Sequence, residues 1–152
     1  FPDYLKEHEI AEFLAKLKAQ AFNNDITDNQ LIITADTIVW INNQVLGKPV
    51  DREDAIRILK MLSGNMHIVY TGVCLKTKHS EKVFWASTEV YFRHLEEEEI
   101  IFYVDAYKPY DKAGAYGVQE WIGYIGIERI NGSYFNVMGL PVQMLYEELK
   151  KL

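Results

Sequence analysis

The chain has 152 residues, of which 49% are hydrophobic and 25% charged, which suits one domain with a core of its own. Its net charge of −6 argues against a general nucleic-acid coat, which needs a basic face, but leaves room for a small anionic ligand beside local cations. The one cysteine, Cys74, excludes an internal disulfide and fits a reduced, cytoplasmic setting. No apolar run has the length of a membrane span.

The first predicted elements are a helix and a strand. Apolar residues recur at helical spacing over residues 3–23, and ordinary core packing explains this helix without any chemistry. The β-rich run over residues 31–41 predicts a buried strand. The dipeptide Asn42-Asn43 then predicts a tight turn that sends the chain back.

A single acid, Asp36, stands in the middle of the predicted strand. A carboxylate in that position is costly unless it is paired, hydrogen-bonded or bound to a cation. The turn brings Lys48 back toward Asp36, and an acid and a base in one neighbourhood suit a phosphate and its metal. A buried ion pair that only fixes the strand explains the same two residues equally well.

The middle of the chain predicts a helix, a hairpin and a second helix. Asp51 suits the N-cap of a helix over residues 52–62. Two strand-like runs, 67–77 and 82–92, flank a turn and predict a hairpin. His67 has no Cys or His partner at metal-site spacing, so it is predicted to be a structural or surface residue. A short helix over residues 95–104 begins with four glutamates, which favour the positive end of the helix dipole.

The loop over residues 107–119, YKPYDKAGAYGVQ, is the second stretch that indicates chemistry. Its proline and glycines mark a place where the backbone comes close to something. Asp111 and Lys112 are adjacent charges, and lysine is a point-charge donor suited to phosphate. Gln119 offers both an acceptor and donors, which suits a base edge or a carbonyl. A tight turn with a surface ion pair is the alternative interpretation.

The rest of the chain predicts a strand over residues 123–130, a turn at Asn131-Gly132 and a closing helix from Pro141 to Lys150. The order of elements predicts an α/β fold, a single domain with a mixed central β-sheet flanked by helices. Ten Tyr, seven Phe and three Trp are compatible with a homodimer, although aromatic side chains fill cores as readily as interfaces.

Taken together and in order, short motifs along the chain resemble the Maf family of nucleoside triphosphate pyrophosphatases. The matching residues are Leu14-Ala15 with Lys18-Ala19, Ala35-Asp36-Thr37, Leu46-Gly47-Lys48-Pro49, Leu62-Ser63-Gly64 with His67, Asp111-Lys112-Ala113-Gly114 with Tyr116 and Gln119, Ile130 with Gly132-Ser133-Tyr134, and Val137 with Gly139-Leu140-Pro141. Each motif alone is weak, but their joint order and spacing cover nearly the whole chain. The resemblance implies a nucleotide cleft between two lobes.

The resemblance also implies a reaction, the hydrolysis of a nucleoside triphosphate between its α- and β-phosphates to the monophosphate and pyrophosphate. By the family pattern Asp36 is the proton acceptor that activates water and a ligand of a divalent cation, Mg²⁺ or Mn²⁺. Lys48, Asp111 and Lys112 would hold the triphosphate. Such chemistry needs an oriented water, cationic groups on the developing charge and a metal.

The resemblance assigns base specificity to Thr37 and Gln119. Family members with Gln at the position of Gln119 resemble dTTP and UTP pyrophosphatases, whereas those with Glu at this position resemble 7-methyl-GTP pyrophosphatases. A neutral amide pairs with the O4 and N3–H of a pyrimidine, while a carboxylate better accepts from guanine N–H groups. We therefore expect dTTP and UTP as substrates, with the clearance of modified nucleotides as one purpose. The alternatives are a 7-methyl-GTP or other modified-nucleotide pyrophosphatase, and a nucleotide-binding regulator of cell division without turnover.

One departure from the family pattern concerns the N-terminal phosphate-binding segment. The family opens with Ser-x-Ser-Pro-Arg-Arg at a helix N-terminus, followed by a metal-binding Glu, and these 152 residues contain neither. Because such a helix start forms an anion site, we expect the 152-residue chain to bind triphosphate more weakly than a form that carries the segment.

Overall fold

The computed structural model describes residues 1–152. In chain order the elements are α1 His8–Gln20, β1 Ile32–Ile41, β2 Gln44–Leu46, α2 Arg52–Leu62, β3 Met66–Lys76, β4 Glu81–Phe92, α3 Glu97–Tyr107, a 3₁₀ turn Ala113–Ala115, α4 Trp121–Gly126, β5 Ile127–Asn131, α5 Tyr134–Met138 and α6 Val142–Lys150. The predicted α/β domain is confirmed. None of these helices is long and apolar enough to cross a membrane.

One sheet of five strands, in the order β2-β1-β3-β4-β5, forms the centre of the fold. Every neighbouring pair is antiparallel, so the prediction of a mixed sheet is wrong. Two of the four pairs, β1–β2 and β3–β4, are hairpins whose short turns reverse the chain, and the other two join strands that helices separate in the chain. The first of these turns is the predicted one, with Asn42 and Asn43 both left-handed at φ 53° and 59°, as a two-residue hairpin turn requires.

The strand β1 has an open edge along its first half. The short β2 pairs only with Val39, Trp40 and Ile41, and β3 lies on the other side. The backbone from Ile32 to Ile38 therefore has no neighbouring strand on the β2 side. This open edge carries Asp36.

Helix α1 covers one face of the sheet and is shorter than predicted, since it begins at His8 and ends at Gln20. Ala11, Ala15 and Ala19 recur every four residues on its buried side, so the helix backbone comes close to the strands. The partner of this close approach is Gly72 of β3, where a Cβ atom would collide with the Ala11 carbonyl group and lie 2.5 Å from the Glu12 nitrogen.

The opposite face of the sheet carries the main core, built with α2 and α3. Asp51 is the N-cap of α2, as predicted, and its side chain accepts a hydrogen bond from the Asp54 N–H. At the start of α3, Glu96 and Glu99 form a capping box, so the acidic run is a solvated helix start. The fully buried members of this core include Leu59, Leu62, Val69, Val90, Tyr103 and Val104.

The predicted strand over residues 123–130 is wrong in its first half, where the chain forms helix α4. The alternation of apolar residues suggested a strand, but Ile122 is buried and Ile125, three residues on, packs against the same core. Only Ile127–Asn131 pairs with β4. The closing helix α6 follows Pro141, as predicted.

Candidate active site

A cavity of about 350 Å³ opens beside the free edge of β1. Its walls come from β1, the loop after β2, the segment around the 3₁₀ turn and the end of α5. It brings together all six residues singled out from the sequence, namely Asp36, Thr37, Lys48, Asp111, Lys112 and Gln119. It also includes Lys18, which the sequence interpretation assigned to ordinary helix packing.

Asp36 pairs with Lys18 rather than with Lys48. The Lys18 ammonium lies 3.4 Å from Asp36 Oδ2 and donates a hydrogen bond of 2.9 Å to the Ala35 carbonyl oxygen. The Asp36 side chain is 24% exposed and that of Lys18 is 55% exposed, so water and ligands reach both. The predicted buried carboxylate is therefore half-buried at a strand edge, and its charge is offset by an exposed lysine.

The position of Lys18 follows from the close packing of α1 on the sheet. Asp36 and Gly72 are direct cross-strand partners, and α1 crosses the strands at Gly72. The Thr34 hydroxyl donates 2.7 Å to the Ala15 carbonyl oxygen one turn before Lys18, which ties the same stretch of helix to β1. The signal in the sequence was the run of alanines at every fourth position, with Lys18 beside the last of them.

Two loops that carry lysines are joined at glycines. The Gly114 N–H donates 3.2 Å to the Gly47 carbonyl oxygen, next to Lys48 and two residues from Lys112. Gly114 has φ 72°, and a Cβ atom there would lie 2.7 Å from Val39 Cγ2. Only glycine combines this backbone conformation with this contact. The glycines therefore hold both lysines on one wall of the cavity.

Asp111 lies at the mouth of the cavity beside Lys112. Its Oδ1 is 3.3 Å from the Lys112 ammonium, and the carboxylate is 76% exposed. The hydrogen bond from Lys112, with a further backbone hydrogen bond, holds the pKa of Asp111 below its usual value. The predicted surface ion pair is present, and it stands inside the candidate site.

Thr37 joins the cavity to helix α5 through a buried polar network. Its hydroxyl lies 2.9 Å from the Thr71 hydroxyl, which donates 3.2 Å to the Asn136 carbonyl oxygen. The Asn136 carboxamide in turn donates to the Val69 carbonyl oxygen at 3.2 Å and to Thr88 at 3.0 Å. These bonds fix the end of α5, whose residues form one side of the cavity.

His67 is a buried structural residue, which confirms the sequence prediction. Its Nε2 lies 2.7 Å from the hydroxyl of Tyr116, a residue of the cavity wall. Burial holds the pKa of His67 at about 3, well below its usual range, and raises the pKa of Tyr116. The imidazole is therefore neutral at physiological pH and supports the wall without adding charge.

The stability of the domain is expected to fall on mild acidification because of His67. Below pH 6.5 the unfolded chain binds a proton at this residue, whereas the folded chain does so only near pH 3. The unfolded state then binds more protons, so the free energy of unfolding falls by about 2 kcal/mol between neutral pH and pH 5. Urea unfolding at both pH values measures the loss. It should disappear in His67→Gln and persist in the control His79→Gln, whose ring is exposed; an unchanged loss in both variants would contradict this assignment.

The charges of the cavity differ from those of the whole chain. Lys18, Lys48 and Lys112 face Asp36 and Asp111, so cations outnumber carboxylates in a protein of net charge −6. No group of three or more His, Cys, Asp or Glu residues is arranged to hold a metal by itself. Mg²⁺ in nucleotide sites commonly takes one or two carboxylates and completes its shell with phosphates and water. The donors present fit a cation shared with a bound triphosphate.

A family model described as Maf-like protein matches residues 2–152 of this chain. The chain belongs to the Maf family. Residues from several of the motifs that carried the resemblance, among them Lys18, Asp36, Lys48, Lys112 and Gln119, line one cavity in this Maf-family fold.

Curated relatives within the Maf family are similar over their shared length. A dTTP/UTP pyrophosphatase of Bacteroides fragilis is 58% identical over 152 residues, which cover 100% of this chain and 79% of the relative. A dTTP/UTP pyrophosphatase of Porphyromonas gingivalis is 51% identical, covering 99% of this chain and 76% of the relative. One of Christiangramia forsetii is 50% identical, with 100% and 78% covered.

Proposed function

We propose that this Maf-family protein hydrolyses dTTP and UTP to the nucleoside monophosphate and pyrophosphate. The observation that carries the proposal is the cavity itself, in which one accessible carboxylate on a strand edge faces three lysines and a glutamine. The names of the relatives, all 50–58% identical to this chain, support the same substrates.

In this proposal Asp36 is the base that takes a proton from the attacking water. Its carboxylate is accessible and lies on a rigid strand, which holds a water in a fixed direction. Lys48 and Lys112 offset the charge that develops on the phosphate oxygens, and the joined glycine loops hold them in place before the substrate binds. Asp111 positions Lys112 through their ion pair.

Lys18 has a related role in the proposal. Its ammonium sits at the end of a flexible side chain beside Asp36, so it can stay with the carboxylate or turn to a phosphate oxygen. While it stays, it offsets the charge of the Asp36 carboxylate.

We further propose that a divalent cation, Mg²⁺ or Mn²⁺, binds through Asp36 and the phosphates of the substrate. When bound, such a cation would polarise the phosphoryl oxygens and offset negative charge on the phosphates. The lack of any group of three or more His, Cys, Asp or Glu residues that could hold a metal supports a cation that arrives with the nucleotide rather than one held by the protein alone.

In this proposal the pyrimidine preference depends on Gln119, with a contribution from Thr37. Both line the cavity, and Gln119 is exposed at its rim. The experiment that tests the function is pyrophosphate release with Mg²⁺ from dTTP, UTP, CTP, GTP and 7-methyl-GTP. Release from dTTP and UTP above the others is expected, and a different ranking would contradict the proposed substrates.

Gln119→Glu should shift the preference toward 7-methyl-GTP. The carboxylate accepts from guanine N–H groups but repels the O4 of uracil and thymine, so we expect kcat/KM for UTP to fall about tenfold. Gln143→Glu adds the same charge on the exposed side of α6 and serves as the control. The measurement is the same substrate panel for both variants. An unchanged ranking in Gln119→Glu would remove this residue from base recognition.

A further inference from the structure

A four-residue turn, residues 117–120, carries Gln119 at the rim of the cavity. The Glu120 N–H donates 3.0 Å to the Gly117 carbonyl oxygen and closes the turn. Inside the turn, the N–H groups of Val118 and Gln119 donate to no backbone carbonyl oxygen. The turn therefore offers backbone donors as well as a carboxamide next to the cavity.

A single hydroxyl holds both ends of this turn. Tyr103 of α3 is fully buried, and its hydroxyl donates 2.6 Å to Glu120 Oε1 and accepts 3.2 Å from the Gly117 N–H. Burial and the bond to Glu120 raise the pKa of Tyr103, so the phenol keeps its proton and continues to donate. We call Tyr103 and Glu120 the turn clamp.

Two glycines allow the turn to pack closely against its surroundings, because a side chain at either position would have no space. A Cβ atom at Gly117 would lie 2.7 Å from Glu120 Oε1, in the space that the clamp carboxylate uses. A Cβ atom at Gly123 of α4 would collide with the Val118 carbonyl group. The turn is thus enclosed by α3 on one side and α4 on the other.

The position of the turn matters because a glutamine carboxamide alone does not discriminate between pyrimidine bases. A flip of the carboxamide exchanges its carbonyl and amino groups. The free side chain therefore pairs equally well with the edge of a 4-oxo pyrimidine or of a 4-amino pyrimidine. A backbone N–H cannot exchange in this way, because it only donates, so at position 4 of the base it pairs with a carbonyl oxygen and not with an amino group. Selection of a 4-oxo pyrimidine therefore needs a backbone that stays in place.

On the basis of the proposed function, we propose that Tyr103 and Glu120 are positioning residues for base selection. The turn clamp holds residues 117–120 so that Gln119 and the backbone donors beside it select a 4-oxo pyrimidine over a 4-amino pyrimidine. Neither clamp residue touches the substrate, since Tyr103 is buried behind the turn and Glu120 points toward it.

The test compares kcat/KM for UTP and CTP, which share ribose and triphosphate and differ at position 4 of the base. Tyr103→Phe removes both hydrogen bonds of the clamp, and we expect the preference for UTP over CTP to fall about tenfold. Tyr107→Phe is the matched control, because its ring stacks on Tyr103 at 5.0 Å without taking part in the clamp. This control should keep the wild-type ratio.

Two changes at Glu120 make the test independent of whether Tyr103→Phe folds. Glu120→Ala removes the acceptor and should lower the preference in the same way. Glu120→Gln keeps an oxygen acceptor for the phenol and should restore most of the preference. Amide hydrogen exchange without nucleotide gives a second readout, since the Gly117 N–H should exchange at least tenfold faster in Tyr103→Phe than in the control.

The outcomes separate the inference from the function on which it rests. An unchanged ratio of UTP to CTP in Tyr103→Phe and Glu120→Ala would overturn the clamp while the pyrophosphatase remained. An equal loss of kcat/KM for both nucleotides would also overturn it, because a residue with a merely structural role affects kcat/KM for all substrates alike. No pyrophosphate from either nucleotide with wild-type protein would overturn the proposed function, and base selection with it.

Discussion

Asp36→Asn is expected to lower pyrophosphate release from UTP about a thousandfold, within the range of a lost general base. The amide has the shape of the carboxylate but does not accept a proton from water at neutral pH. It also loses most of its affinity for a divalent cation, so the dependence of the rate on Mg²⁺ should weaken as well. Steady-state release over a range of Mg²⁺ concentrations measures both effects.

The same variant separates catalysis from a purely structural ion pair. Asp36 and Lys18 are both accessible, so their pairing contributes at most about 1 kcal/mol to stability, and Asp36→Asn should unfold at nearly the wild-type urea concentration. Asp28→Asn is the matched control, because Asp28 is exposed, pairs with Lys78 and His79, and does not line the cavity. If Asp36→Asn loses several kcal/mol of stability, the carboxylate serves mainly to fix the strand.

Gly72→Ala is expected to destabilise the domain by about 3 kcal/mol, the upper end of the usual range for overpacking. The new methyl group would meet the main chain of α1 at Ala11 and Glu12, and a helix backbone cannot move aside as a side chain can. Urea unfolding measures the loss. Gly47→Ala is the control for stability, because a Cβ atom there meets nothing within 4 Å.

The same change should reach the active site. If α1 moves away from β3, it carries Lys18 away from Asp36, and pyrophosphate release should fall even where the protein is still folded. A Gly72→Ala protein as stable as the wild type would show that α1 is loosely packed and that Lys18 is not held by the sheet.

The sequence was sufficient for the parts of the site that lie in continuous motifs. Lys48 and Lys112 stand near glycines, and Asp36 is the one acid in a β-rich run, so these residues could be singled out from local chemistry and from family resemblance. The Asn42-Asn43 turn and the N-cap at Asp51 likewise depend on the local chain alone.

The features that were missed depend on contacts between distant segments. Lys18 reaches Asp36 only because Gly72 lets α1 lie close to the sheet, and Gly72 is far from both in sequence. Helix α4 shows the same limit. Its alternation of apolar residues fits a strand, but the packing of Ile122 and Ile125 on the same core favours a helix. The prediction of a mixed sheet was wrong for a similar reason, since the antiparallel pairs β1–β3 and β4–β5 join strands that other elements separate in the chain.

The most direct test of the central claim is an analysis of the products of UTP with Mg²⁺. The proposed hydrolysis between the α- and β-phosphates predicts UMP and pyrophosphate in equal amounts, and we expect water to attack the α-phosphate. In water labelled with ¹⁸O, the label should appear in UMP alone. UDP with inorganic phosphate would contradict the proposed reaction, and label in the pyrophosphate would contradict attack at the α-phosphate.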